Sequence, residues 1–329
     1  MNQRLFKALL ISLVAFSLSG CFLHSEIVEA PPNSFSSEGC GECHFNEYEE
    51  WKESGHAKAW ISEAFRKETD DYQVEKCLAC HRAMPIYGTD KVTLRQEHAK
   101  EGVNCVTCHL TPDGEIGGPH FVLPAHYVKM SDPYFLESKL CGTCHEAHFE
   151  QWKATEKRLE AQGKELQTCQ DCHMPAAYRK LIVKGIMQYA HWRMDTKKHT
   201  FDALPQAPAG EAPWFTATHQ LLPKTERGLP ISLRLSHRIP HGVPAGIFGF
   251  KAVDLIVSLK SASGQVIEEQ QRVFHAENKD FIKAGETYEQ VFTFSRSLLG
   301  RAEFFEVRLV RRDSRVSLGQ QIFLQQNRI

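Results

Sequence analysis

The string Cys-x-x-Cys-His occurs five times in this chain: at Cys40, Cys43 and His44; Cys77, Cys80 and His81; Cys105, Cys108 and His109; Cys141, Cys144 and His145; and Cys169, Cys172 and His173. From the first of these cysteines to the last histidine is 134 residues, roughly 27 per motif. That is too short a stretch to wrap a conventional side-chain core around each one. Ten of the eleven cysteines fall in these pairs, and only Cys21 is left over. The two thiols of such a motif add across the vinyl groups of a haem, the two-residue spacer matches the distance between the vinyls, and the adjacent histidine reaches the iron. Zinc is the competing reading of paired cysteines. Five pairs cannot be shared among four-cysteine sites without a remainder, and zinc requires no histidine directly after each second cysteine. The expectation is five covalently bound haem c groups, with the porphyrins themselves forming the core of the cysteine-rich region.

The N-terminus fits an exported chain. Arg4 and Lys7 precede an apolar run from Ala8 to Leu18, which ends in Leu18-Ser19-Gly20-Cys21. The small residues before Cys21 resemble a bacterial lipobox, so residues 1–21 read as a lipoprotein signal ending at a lipidated Cys21; a plain signal peptide with an incidental cysteine is the alternative. Phe22, in place of the Asp that holds lipoproteins at the inner membrane, favours the outer membrane, facing periplasm or cell exterior. Residues 22–38, with Pro31-Pro32-Asn33-Ser34, have the chemistry of a flexible tether. Residues 39–205 form the expected pentahaem domain, mostly helical or irregular, with helical patches at Asn46 to Phe65 and along the charged run Phe149 to Leu166. The prolines and glycine of 206–228 read as a linker. Beyond it cysteine disappears and alternating runs follow, such as Ile231, Leu233, Leu235 and Val253, Leu255, Val257, Leu259. About seven short strands in roughly 100 residues predict an all-β, immunoglobulin-like sandwich over 229–329. A formal charge of −1 argues against a nucleic-acid partner.

Twelve histidines lie outside the motifs, more than the five that would give each haem a second imidazole. Bis-histidine ligation keeps iron six-coordinate and suits electron transfer. Met84, Met130, Met187 and Met194 are alternative ligands, though methionine more often packs against a porphyrin edge.

Cys40-Gly-Glu-Cys-His44 followed by Trp51, Ser54 and His56-Ala57, then Glu101-Gly-Val-Asn-Cys105-Val-Thr-Cys108-His109, then Cys169-Gln-Asp-Cys172-His173-Met174-Pro175, together resemble the cytochrome c-554 family of multihaem cytochromes over about residues 39–200. The resemblance implies that His56 ligates a later haem than its own, the one at Cys105, Cys108 and His109, and that His120 serves the first. His148, His199 and His237 are the next candidates, with His98, His126 and His191 behind them. His237 carries an architectural stake: as a ligand it would tie the sandwich to the haem domain.

An electron carrier needs only haems in close sequence. An enzyme needs an iron with an open position and polar groups beside it. The second clamp, Cys77, Cys80 and His81, is the candidate open site, since the resembling cytochromes leave their second haem five-coordinate. No C-x-x-C-K occurs, so the lysine that marks the catalytic haem of ammonifying nitrite reductases is missing. The first expectation is a carrier between donor and acceptor redox proteins, or a quinol-linked complex. A reductase of a small nitrogen or sulfur species and a docking subunit of a larger cytochrome assembly are the alternatives.

Overall fold

The computed structural model describes residues 36–122, 128–202, 207, 212–247, 251–313 and 319–329. The signal, Cys21, most of the tether, His24 and His126 lie outside the described residues. The chain divides into two units, one made of Met1–Cys144 and Thr168–Ala203, the other of His145–Gln167 and Leu204–Ile329.

The first unit is built from short helices: α1 (Ser37–Gly41), α2 (Phe45–Glu53), α3 (Glu63–Glu68), α4 (Glu75–His81), α5 (Cys105–His109), α6 (Ser138–Gly142) and α8 (Cys169–His173), α7 belonging to the other unit. Two small ribbons accompany them, a parallel pair β1 (Ile116–Gly117) and β2 (Val128–Lys129), and a hairpin β3 (Ala176–Arg179) and β4 (Met194–Lys197). The helical patch expected from Asn46 to Phe65 is two helices, because Ser54 leaves the helix in extended conformation and Gly55 follows it. Among the described residues of this unit, Ala83, Ile86, Phe135 and Leu140 form one apolar cluster, with Tyr87, Val92 and Tyr134 packed against it. Other buried apolar residues of the unit, among them Trp51, Trp60, Phe65, Val106 and Leu110, lie outside that cluster.

The second unit has α7 (Glu146–Glu160) and seven strands: β5 (Phe215–Leu221), β6 (Gly228–His237), β7 (Lys251–Lys260), β8 (Val266–His275), β9 (Tyr288–Ser295), β10 (Phe304–Asp313) and β11 (Gln320–Arg328). They form two antiparallel sheets, ordered β11-β10-β7-β8 and β5-β6-β9. Eighteen buried apolar residues, sixteen from the two sheets with Val243 and Ile282 from the loops, form one core, with Ile231, Leu235, Leu255, Leu259, Phe294, Phe305 and Leu309 fully enclosed. Period-2 alternation places these residues inward, and on the two central strands the opposite face is covered as well, at Asp254, Ser258 and Glu306. The 206–228 stretch is corrected in one respect: β5 lies inside it. Phe215 and Ala217 point inward and pair with His237 and Leu235 of β6, a short alternation hidden between Pro213 and Pro223.

Candidate haem clamps

A three-residue step along a helix brings two side chains to one face, so one helical turn suffices to present both thiols of a clamp together. Clamps two, three and five lie within α4, α5 and α8, each of which ends on its motif histidine. Capping boxes start α5 at Asn104 with Thr107 and α8 at Thr168 with Asp171. Clamps one and four are made differently. There the helix stops after the first cysteine and glycine, and the motif histidine becomes the N-cap of the next helix, His44 of α2 and His145 of α7.

Four motif histidines point Nδ1 at a backbone carbonyl: His44 at Leu181 (3.1 Å), His81 at Ala59 (2.8 Å), His109 at Gly117 (2.7 Å) and His173 at Asp202 (2.6 Å). A proton on Nδ1 leaves the Nε2 lone pair for a metal, the tautomer an iron ligand needs. The ten motif cysteines are free thiols, each partly buried. The donor set therefore fits haem c: thiols available for thioether bonds, and imidazoles already oriented.

The clamps also meet one another. The thiol of Cys40 in the first clamp lies beside that of Cys105 in the third, Cys80 of the second beside Cys144 of the fourth, and Cys141 of the fourth beside Cys169 of the fifth. Cys108 of the third acts electrostatically on Cys141 and Cys144. All five clamps thus join in one connected set.

Opposite His109 stands His199, with ring centroids 6.1 Å apart and planes at 32°. A metal held between two imidazoles at about 2 Å from each nitrogen separates ring centres by roughly 6 Å. Burial, with His109 beside it, holds His199 down at about 4, and burial likewise lowers His109, so both are neutral at physiological pH. His56, the partner expected for the third clamp, has its ring edge-on to Phe201 at 4.4 Å. His120 is half-buried, beside the backbone of Ser131. In the second unit His148 lies 5.6 Å from His145 and 6.1 Å from His241, ring centre to ring centre. His237 ends β6 inside the apolar core, with Nε2 2.9 Å from the carbonyl of Ile282 and its ring near Phe215. That contact gives one ring nitrogen a partner, while Nδ1 is buried without a hydrogen bond. His98 sits at a left-handed position, 3.8 Å from Glu101, and His191 is buried.

Sequence reasoning passed over an internal repeat. Ser37-x-x-Cys40-Gly41-x-Cys43-His44, with Trp51, Lys52 and Ser54, recurs as Ser138-x-x-Cys141-Gly142-x-Cys144-His145, with Trp152, Lys153 and Thr155. The contacts recur as well. Trp51 donates Nε1–H to the carbonyl of Val103 (2.8 Å), two residues before Cys105, and Trp152 donates to that of Gln167 (3.0 Å), two residues before Cys169. Both indoles are buried. The repeat fails at one chemically important place: Lys157 stands where the first copy has His56.

Residues 39–110 match the family model described as cytochrome c554 and c-prime. No curated protein sequence matches the chain. Among solved structures, a penta-heme cytochrome c552 from Thermochromatium tepidum is similar at a TM-score of 0.62 and 17% identity, over 91% of this chain and 100% of that one. At such identity the likeness establishes the fold. Other similarities, to a putative beta-galactosidase from Bacteroides fragilis (TM-score 0.22, 12% identity, 34% of this chain and 15% of that one) and to the putative ApaA protein from Bordetella pertussis (0.21, 10%, 34% and 89%), carry no argument. With three C-x-x-C-H clamps inside the matched segment, residues 39–110 carry a domain of the cytochrome c554 and c-prime family, and the chain is a multihaem c-type cytochrome.

Proposed function

We propose that this chain is a pentahaem electron-transfer protein, with one haem c on each clamp, exported and anchored through a lipidated Cys21 to the outer membrane. The connected set of clamp thiols is the observation that carries the reading. When neighbouring clamps touch through their cysteines, the haem edges they bear lie close, the arrangement that serial one-electron transfer requires. Haem c, when bound, supplies the exchange of one electron at a time. The protein's own residues set the conditions. The backbone carbonyls of Leu181, Ala59, Gly117 and Asp202 fix the proximal imidazoles, and His199 supplies the second imidazole for the third clamp. Donor and acceptor would be redox proteins or a quinol-linked complex. The two sheets and shared core of the second unit support an immunoglobulin-like sandwich there.

The intact mass of the mature protein should equal the lipidated chain plus five haems; four or fewer would overturn the count. Low-spin ferric spectra for the haems support a carrier. A high-spin component that shifts with nitric oxide, hydroxylamine or nitrite would point instead to a reductase, with the Cys77, Cys80 and His81 clamp as its first candidate.

A further inference from the structure

The hairpin β3-β4 leads from the fifth clamp to His199, and a buried ion cluster ties it to α2 of the first clamp. Arg179, the last residue of β3, reaches Glu50 of α2 with both arms of its guanidinium, Nη1 to Oε1 at 2.5 Å and Nη2 to Oε2 at 2.8 Å. The same Nη2 lies 3.1 Å from Glu47, one turn earlier on α2. All three side chains are largely shielded from water, at 13 to 18% exposure. A bidentate arginine-carboxylate pair in such surroundings is both strong and directional.

Glu50 does more than neutralise Arg179. Its Oε2 also accepts the backbone N–H of His199 at 2.9 Å, and the ring of that residue faces His109 across 6.1 Å. The carboxylate is pinned on one side by a planar fork and holds, on the other, the main chain that carries the imidazole. Exposed ion pairs seldom contribute much. This one differs because a third group depends on its geometry, and because removing one member leaves a buried charge without its partner.

We propose that Glu50 is a positioning residue for the third haem: clamped by Arg179, it holds the backbone of His199 so that the imidazole stands opposite His109, and its carboxylate offsets the guanidinium charge near that site. The inference rests on the reading of His199 as the axial partner of the third clamp. A fixed carboxylate close to a haem favours the ferric over the ferrous state and so lowers the potential.

The experiment uses the mature, fully loaded protein, with spectra and a potentiometric titration of Glu50→Ala, Glu50→Gln and His199→Ala. Glu50→Ala removes the anchor and should give one haem a high-spin ferric fraction. Glu50→Gln keeps an oxygen for the His199 N–H but loses the charge; it should restore the low-spin spectrum while raising the midpoint of one haem. A merely structural role would change stability and leave that midpoint where it was. Unchanged spectra and midpoints in both Glu50 variants would overturn the proposal. His199→Ala tests the underlying pairing separately: it should convert one haem to high spin, and if every haem stays low-spin the pairing is wrong whatever the Glu50 variants do. Glu47→Gln, which keeps the Glu50 anchor, controls for general disturbance of the cluster and should leave the spin state intact.

Discussion

The two units solve the same problem with different materials. The second excludes water with a core of eighteen buried apolar side chains centred on two sheets; among the described residues, the apolar cluster of the first has four, beside ten thiols and four of the five motif histidines. Burial of aliphatic surface contributes about 25 cal/mol per Å², so the β unit can stabilise itself. The clamp unit cannot meet the entropy of ordering its turns from side chains of that kind alone. Its core has to be delivered from outside. One unit is stable because of what its sequence contains, the other because of what its sequence binds.

The strongest test of this contrast is to withhold haem. Chain exported without the attachment machinery should lose the helical far-UV signal of the clamp unit and keep the sheet signal, and equal loss of both would collapse the distinction. Next in size is a truncation confined to the β core. Leu255→Ala, at a fully buried position, should cost about 2–5 kcal/mol in chemical denaturation of that unit and leave the haem spectra unaltered. A smaller, local effect is expected at Gly102, which has φ +60° and where a Cβ would come within 2.4 Å of the His56 carbonyl. Gly102→Ala should destabilise the clamp unit by about 1–3 kcal/mol, read from the midpoint at which the haem spectrum changes on heating. Smallest are Trp51→Phe and Trp152→Phe, each of which deletes one hydrogen bond to a carbonyl just ahead of a clamp. Each should cost about 1 kcal/mol, and similar costs would support the two copies as equivalent braces.

The parts of this molecule that depend on local chemistry could be read from the chain. A C-x-x-C-H motif is complete within five residues, so clamps and proximal histidines were legible, as were β6, β7, β9, β10 and β11 from their alternation. What escaped was set at a distance. His199 meets His109 because a hairpin, an arginine and a glutamate bring it there, and none of those contacts leaves a periodic trace. Nor does the His237 motif foretell the Ile282 carbonyl that its Nε2 meets across 45 residues. The repeat was visible in Ser138, Trp152 and Thr155, but a search centred on histidines passes over a copy that carries Lys157 in place of His56.

The meeting of cysteines from different clamps bears on biosynthesis. Cys40 and Cys105 are 65 positions apart in the chain, and in the folded arrangement they are neighbours, as are Cys80 with Cys144 and Cys141 with Cys169. The neighbouring Cys144 thiol lowers the pKa of Cys80, and Cys141 does the same for Cys169. In an oxidising compartment, a chain that collapsed with its thiols still free would lock these mismatched neighbours as disulfides, each removing two clamps from use at once. Each thioether bond formed to a haem withdraws a cysteine from such a partner.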